Sequence, residues 1–206
     1  QDSVISITAT SGGSSFREPD IIDADSSNSV TISQLETEFN NMIESVKKYG
    51  GFYIGRYETG NLSQEKASII KNNSDIGNQT WYTMYNKAKG IAVNSNVTSS
   101  MIWGSQYDAV MNWMAKQGID VGSKNENKTN KTEITGKYIT DVLNNIYDLY
   151  GAHKECTIEG NSNNQRSTRG GVYDGIYSPA NRYSNNTVLP DQTGVGNNTR
   201  ITLYVN

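Results

Sequence analysis

The side chains best suited to chemistry are the single histidine and the single cysteine, His153 and Cys156. One histidine cannot build a multi-imidazole metal site, and it leaves one candidate for an imidazole general base. Because no serine or cysteine in a nucleophile setting accompanies it, we expect His153 at the surface or at a strand edge. A single cysteine excludes an intrachain disulfide within these 206 residues. Free cysteine is usually buried, so Cys156 is predicted to be a small core residue.

Other catalytic patterns are missing from the sequence. Gly12-Gly13 and Gly170-Gly171 lack the third glycine, or the following Lys-Ser/Thr, of a phosphate-binding loop. Carboxylate pairs that are close in sequence carry no positional evidence of acid/base work. We therefore name no catalytic residue and no metal ligand, and we predict that the protein is not an enzyme.

A different chemistry is concentrated between residues 161 and 198, which consist mainly of Asn, Ser, Thr, Gly and Tyr. Tyrosine offers a broad contact area with few rotatable bonds, and Asn and Ser supply adaptable hydrogen-bonding groups, as in antibody binding loops. The alternative is a hydrophilic loop without a partner. The predicted ligand-binding residues are Tyr173, Asp174, Ile176, Tyr177, Asn181, Tyr183, Asn185 and Asn186.

Bulk composition narrows the class of partner. The net charge is −3, and the basic residues of segment 124–137 alternate with Asn, Thr and Glu, so no Lys/Arg block favours nucleic acid. No apolar run approaches the roughly 18 residues that a membrane span requires, so we expect no membrane insertion. Hydrophobic residues make up 34% of the chain, which predicts a lean core and much loop.

Three helices are predicted to position the binding segment. Apolar residues recur at helical spacing over residues 33–48, with a capping box from Ser33 to Glu36 and a stop at Gly50. Residues 80–89 form a short helix. A third helix spans residues 105–117, with Ser105 and Asp108 at capping positions. Its apolar face comprises Val110, Trp113 and Met114, and we expect Trp81 and Trp103 to pack in the core as well.

Strands are predicted at residues 52–58, 155–158, 168–173 and 200–205. Residues 122–137 form a long loop, and residues 138–150 return to the core through Ile139, Val142, Leu143, Ile146 and Leu149. Residues 1–30 form an N-terminal arm or the end of a stalk, with an edge strand at residues 4–10. Residues 31–206 form one ligand-binding domain whose display surface lies in residues 152–199.

The order of several short motifs resembles the formylglycine-generating-enzyme branch of the C-type lectin fold. That branch carries Y-D-x-x-G-N-V-W-E-W, then R-G-G-S-[WY], then G-F-R-x-A. The corresponding runs here are YDLYG at 147–151, RGGVY at 169–173 and RITLY at 200–204. Upstream, GFYIGRYE at 51–58, TW at 80–81 and SMIWGSQYD at 100–108 also resemble this family. The PANRY run at 179–183 is similar to the P-A-S-x-R of proteins diversified by retroelements, found on phage tails and bacterial surfaces.

This resemblance implies an α+β C-type-lectin-like fold: two flanking helices on a small, twisted, mostly antiparallel sheet with many long loops. It also implies that Arg169 and Arg200 are structural arginines that donate hydrogen bonds to loop carbonyls. At Gly170 and Gly171 we expect another stretch of chain to approach the backbone closely. The enzymes of the family use a pair of cysteines after the R-G-G motif to bind copper. No cysteine stands there, and one thiolate cannot form a two-thiolate site, so we expect neither copper binding nor cysteine oxidation.

The function implied is a receptor-recognition domain that displays variable loops and is located extracellularly, on a cell surface or on a virion. Its partner would be a surface protein or glycan of a host or neighbouring cell. A structural surface or virion domain without a ligand is one alternative, and an enzyme that uses no cysteine is another. No cofactor is predicted. Calcium remains open, because Ala152 replaces the asparagine that often binds it and the methyl group of alanine cannot ligate a cation.

Overall fold

The computed structural model describes residues 30–74, 77–92, 94–121, 134–160, 165–171, 178–182, 190–193 and 197–206. These residues form a mixed α+β fold with three α-helices and small, mainly antiparallel sheets. Of the predicted N-terminal arm, only Val30 lies in this described part. Most of the predicted 122–137 loop, residues 122–133, falls outside it.

Helix α1 spans Ile32–Tyr49 and confirms the first predicted helix. Its N-cap is Thr31, whose hydroxyl accepts the Gln34 N–H at 3.1 Å, so the prediction of Ser33 as the cap was wrong. Ser33 lies inside the first turn, where its carbonyl accepts the Thr37 hydroxyl. Gly50 ends the helix in the left-handed conformation, with φ 83°, as expected of a C-terminal glycine.

Helices α2, Trp81–Lys89, and α3, Gly104–Lys116, confirm the other two predicted helices. Thr80 caps α2 by accepting the Thr83 N–H. At the start of α3 the Gln106 side chain accepts the Trp103 N–H at 3.1 Å. Ser105 and Asp108 therefore lie within the helix and do not cap it, which corrects the sequence prediction.

The first sheet has three strands in the order β1-β8-β2, all antiparallel. Strand β8, Ile201–Val205, lies between β1, Tyr53–Ile54, and β2, Val97–Met101. Two residues of the predicted 52–58 strand form β1, and β2 was not predicted. Its sequence, VTSSM, lacks the apolar alternation that signals a strand.

The second sheet has the order β6-β5-β7 and includes one parallel pair. Strand β5, Lys154–Gly160, pairs antiparallel with β6, Arg166–Arg169, and parallel with β7, Asn197–Thr199. A 3-10 turn at Ile139–Asp141 leads into a hairpin of β3, Val142–Leu143, and β4, Ile146–Tyr147.

The core consists of two apolar clusters. The first joins α1, α2 and both larger sheets and contains Leu35, Met42, Trp81, Trp103 and Cys156. The second lies between α3 and the hairpin and contains Tyr107, Val110, Met114, Leu143 and Leu149. Cys156 is 1% exposed, which confirms it as a core residue, and burial raises the pKa of its thiol to about 12.

Two residues predicted to be in the core are exposed. Trp113 is 42% exposed on α3, and Ile139 is 76% exposed in the 3-10 turn. Val110 and Met114 on the same helix are buried as predicted. Periodicity thus located the apolar face of α3 but overestimated its width. Within the described ranges, no helix is long and apolar enough to cross a membrane.

Candidate ligand-binding region and its supports

One of the eight predicted ligand-binding residues, Asn181, lies in the described part of the chain. It is exposed, and its N–H donates to the Ser178 carbonyl at 3.1 Å. The other seven lie outside the described residues, and their clustering on one surface therefore stays a prediction. These seven are Tyr173, Asp174, Ile176, Tyr177, Tyr183, Asn185 and Asn186.

The turn that carries Asn181, residues 178–182, is attached to the protein at both of its ends. At the first end, Ser178 is 2% exposed, and its hydroxyl donates to the Val121 carbonyl at 3.1 Å. At the second end, Arg182 binds carboxylates on two different elements. Asn181 is thus exposed between two fixed residues.

Arg182 belongs to a network of four charged side chains, which we call the arginine–carboxylate network: Asp108, Glu159, Arg169 and Arg182. The Arg182 Nε donates to Glu159 Oε1 at 2.8 Å, and its Nη2 donates to Asp108 Oδ2. The Arg169 Nη2 donates to Asp108 Oδ1 at 2.8 Å and to the Ala180 carbonyl at 3.1 Å. Two cations therefore alternate with two anions, and together they join α3, β5, β6 and the turn.

The network is largely removed from solvent. The Arg169 side chain is 0% exposed, and its guanidinium lies 4.6 Å from the centroid of the Tyr107 ring. Burial alone would lower the pKa of Arg182, but Glu159 and Asp108 act in the opposite direction and raise it. Arg182 therefore keeps its charge. Because charged hydrogen bonds are stronger where water is excluded, these contacts hold the turn in place.

Close backbone approach at the Arg-Gly-Gly run is confirmed. Gly170 has φ 80°, in the left-handed region that favours glycine. Gly171 donates its N–H to the Leu149 carbonyl at 2.8 Å, and a Cβ on Gly171 would lie 2.0 Å from the Tyr150 carbonyl oxygen. The chain that leaves β6 therefore lies directly against residues 149–150, and no larger residue fits.

Arg200 is a structural arginine, as predicted. Its side chain is 0% exposed and donates to the Gly55 carbonyl at 2.9 Å and the Tyr147 carbonyl at 2.8 Å. The sequence did not reveal its third partner, Glu155, which accepts the Arg200 Nε at 2.7 Å. Burial would lower the pKa of Arg200, but Glu155 raises it overall. The backbone at residues 55 and 147 is thereby fixed to the start of β5.

A second buried carboxylate, Glu58, lies beside this pair. Glu58 is 0% exposed and accepts the His153 N–H at 3.2 Å and the Asn198 side-chain amide at 2.9 Å. Burial, followed by the charges of Glu155 and Asp148, raises the pKa of Glu58 well above its usual range. His153 was predicted at the surface or at a strand edge; it directly precedes strand β5 and is 2% exposed, so the surface position was wrong. Its neighbours Lys154 and Glu155 suggested exposure, but strand β5 is buried along most of its length.

Across the described residues, no group of three or more His, Cys, Asp or Glu side chains is arranged to hold a metal ion. Ala152, at the position that prompted the calcium question, is fully buried with φ 56°. Its methyl group supplies no oxygen ligand. The described residues therefore give no basis for naming a calcium ligand.

A groove of about 580 Å³, not predicted from the sequence, lies between α1 and the edge of the first sheet. Its walls carry Asn41, Tyr49, Thr98 and Tyr204. The charges at its rim are paired in part, because Lys89 contacts Glu38. It is separate from the turn at 178–182, since no residue of that turn lines it.

In comparisons with known proteins, no protein-family model, curated protein or solved structure matches this chain.

Proposed function

We propose that the protein is a receptor-recognition domain that binds its ligand through the residues predicted between 152 and 199. Its scaffold would be a C-type-lectin-like α+β fold, as the sequence resemblance implies. The ligand would be a protein or glycan on the surface of a host or neighbouring cell. The domain would act extracellularly, on a cell surface or on a virion.

One observation carries this proposal: the arginine–carboxylate network fixes the turn at 178–182, while Asn181 remains exposed. A binding surface needs side chains that reach solvent on a backbone that does not have to be ordered on binding, because ordering costs affinity. The predicted tyrosines stand in sequence on either side of this turn. A fixed turn that is flanked in sequence by polar and aromatic residues supports recognition.

The buried charges support a binding domain over an enzyme. Glu58 and Glu155 have the raised pKa values that acid/base catalysts often show. Both are 0% exposed, and their contacts are with protein groups. A catalytic acid or base must reach its substrate within hydrogen-bond distance. We therefore assign these carboxylates to the scaffold and no residue to catalysis.

The proposal can be tested with the fluorescently labelled protein and a panel of intact bacterial strains, with binding read by flow cytometry. On a strain that binds, we expect Tyr173→Ala or Tyr177→Ala to weaken binding roughly tenfold, because interface tyrosines often contribute most of the affinity. The melting temperature should barely change. Tyr53→Ala is the matched control, because Tyr53 is 68% exposed on β1, outside the predicted surface.

Three results would contradict the proposal. Unfolding of the Tyr173 and Tyr177 variants would place these residues in the core. An equal loss of binding with Tyr53→Ala would place the interface elsewhere. Normal binding by both variants would show that neither tyrosine belongs to the interface. Retroelement diversification has its own test: downstream DNA should contain an imperfect copy of the 3′ end, altered at adenines, beside a reverse transcriptase gene.

A further inference from the structure

A second surface, separate from the predicted loops, brings two cations onto one aromatic ring. The Arg56 guanidinium lies 5.4 Å from the centroid of the Tyr147 ring, and the Lys71 ammonium lies 5.7 Å from the same centroid. The Tyr57 ring packs beside Tyr147 with the centroids 5.0 Å apart. We call these four residues the cation–tyrosine cluster.

Backbone contacts position the two segments that carry the cations. The Arg56 carbonyl accepts the Tyr147 N–H at 2.9 Å. Next to Lys71, the Asn72 N–H donates to the Thr135 carbonyl at 2.7 Å. The following residue, Gly136, packs so closely that a Cβ there would lie 2.5 Å from the Tyr57 ring and 3.1 Å from Lys71 Cγ. Gly136 therefore packs between the Tyr57 ring and the stem of the Lys71 side chain.

Neither cation of the cluster forms an ion pair with an acidic side chain of the described segments. Both Arg56 and Lys71 are exposed. The carboxylate of Asp148 follows Tyr147 in sequence, but it is fully buried and accepts the Gly136 N–H at 2.6 Å. The chain as a whole carries a net charge of −3, so the local charge of this surface is opposite in sign to the net charge of the chain.

Polar side chains lie near the two cations, one in contact with Arg56 and one next to Lys71 in sequence. The Arg56 guanidinium lies 3.4 Å from the side-chain oxygen of Asn145, which is exposed. Asn72 is also exposed, and Tyr57 is half-buried. Arginine binds planar oxyanions through two parallel hydrogen bonds, lysine adds a point charge, and amides and phenols bind hydroxyl groups. A ligand that carries an oxyanion and many hydroxyl groups would offer a partner to each of these groups.

We propose that the cation–tyrosine cluster is a binding site for an acidic sugar. Arg56 and Lys71 contact the carboxylate or sulfate group, and Asn72, Asn145 and Tyr57 contact the sugar hydroxyls. Nucleic acid fits less well, because binding to its backbone depends on many phosphate contacts and, among the described residues, two cations lie against this ring. This site does not depend on the binding surface predicted between residues 152 and 199.

The experiment is an NMR titration of the isotope-labelled protein with glucuronate, with glucose 6-sulfate and with glucose. We expect glucuronate or glucose 6-sulfate to shift the resonances of Arg56, Tyr57 and Tyr147. The shifts should saturate as the sugar concentration rises, and the affinity should be weak. Glucose should leave them unchanged. Comparison of the two acidic sugars shows which oxyanion the site prefers.

The double variant Arg56→Gln with Lys71→Gln should weaken the acidic-sugar interaction by about fivefold or more, because it removes two exposed charge contacts. The matched control is Lys48→Gln with Lys116→Gln, which changes the net charge equally through exposed lysines on α1 and α3. This control should titrate as the unaltered protein does. Thermal unfolding of each variant checks that it is folded.

Several outcomes would overturn the proposal. If the control variant binds the acidic sugars as weakly as the Arg56 and Lys71 variant does, the loss of affinity comes from net charge and not from this site. Shifts that spread over all exposed lysines, or that occur equally with glucose, would exclude a defined acidic-sugar site. Saturation by an oligothymidylate but by neither acidic sugar would indicate a single-stranded nucleic acid site instead.

Discussion

Arg200 fixes three separate parts of the chain through one guanidinium group. It binds two backbone carbonyls and the carboxylate of Glu155, and all of these contacts are buried. Burial of a charge is costly unless it is paired and fully hydrogen-bonded. The pair therefore stabilises the fold only while both partners are present, because the loss of either one leaves the other charge buried and unpaired.

Replacement of Arg200 by methionine should destabilise the protein by about 3–5 kcal/mol, because it leaves Glu155 buried without its cation. Urea unfolding followed by circular dichroism would measure this change. The control is Lys116→Met, which removes an exposed cation on α3 and should cost about 0.5 kcal/mol or less. An Arg200→Met protein less than about 1 kcal/mol weaker than the unaltered chain would contradict the structural role of the pair.

Among the elements, the turn that leaves β6 depends on direct contact between two stretches of backbone. Residues 169–171 lie against residues 149–150, with Gly171 donating to the Leu149 carbonyl. Backbone atoms cannot yield as flexible side-chain ends do, so the contact tolerates glycine alone. This positions Gly171, the last residue described directly after β6, against Leu149 and Tyr150 of the second apolar cluster.

Gly171→Ala should destabilise the protein by about 3 kcal/mol or more, since the new Cβ would lie 2.0 Å from the Tyr150 carbonyl oxygen. Gly51→Ala is a matched control, because a Cβ there meets nothing within 4 Å and its φ isn't in the left-handed region. Differential scanning calorimetry of both variants would give the comparison. Equal melting temperatures would show that the approach at Gly171 is looser than described.

The link between α3 and the turn at 178–182 can be measured as a coupling energy. A double-mutant cycle of Asp108→Ala and Arg182→Ala should give a coupling of roughly 0.5–3 kcal/mol, as expected for residues that share one network. The exposed pair Glu44 and Lys47 on α1 is the control and should give about 0.2–0.5 kcal/mol. If the two couplings are the same, the arginine–carboxylate network does not hold the turn to α3.

At the scale of the whole molecule, the buried acids should govern how stability depends on pH. The pKa values of Glu58 and Glu155 are both raised, with burial as the first cause. A raised pKa in the folded state means that the folded protein binds the extra proton. The stability that these groups contribute is therefore present below the usual glutamate pKa of 4.5 and is lost as pH rises through the folded-state value.

Glu58→Gln should flatten this dependence. We expect the unfolding free energy of the unaltered protein to fall with rising pH above 4.5 more steeply than that of the variant. The difference in slope should reach at most about 1.4 kcal/mol per pH unit for one proton. Urea unfolding at a series of pH values measures the slope, with exposed Glu44→Gln as the control. Parallel curves for Glu58→Gln and the unaltered protein would contradict the raised pKa.

The helices could be predicted from sequence because their signals are local. Apolar spacing and the glycine after each helix lie within a few residues of the elements they define. Strand β2 could not be predicted, because its serines become buried only through pairing with β8 and packing beside α2. The arginine–carboxylate network was also hidden, since Arg169 and Arg182 lie 61 and 74 residues from Asp108.

The place of β8 has a consequence for synthesis of the chain. Strand β8 lies between β1 and β2, and it is the last described strand to be made. A nascent chain that has not yet released residues 201–205 from the ribosome therefore holds β1 and β2 without their shared partner. Because the β1–β8 pairing closes a loop of about 150 residues, the first sheet must form late. Helices α1 and α2 leave the ribosome earlier than β8. Their apolar faces therefore stay exposed to solvent and to chaperones until β8 has been released.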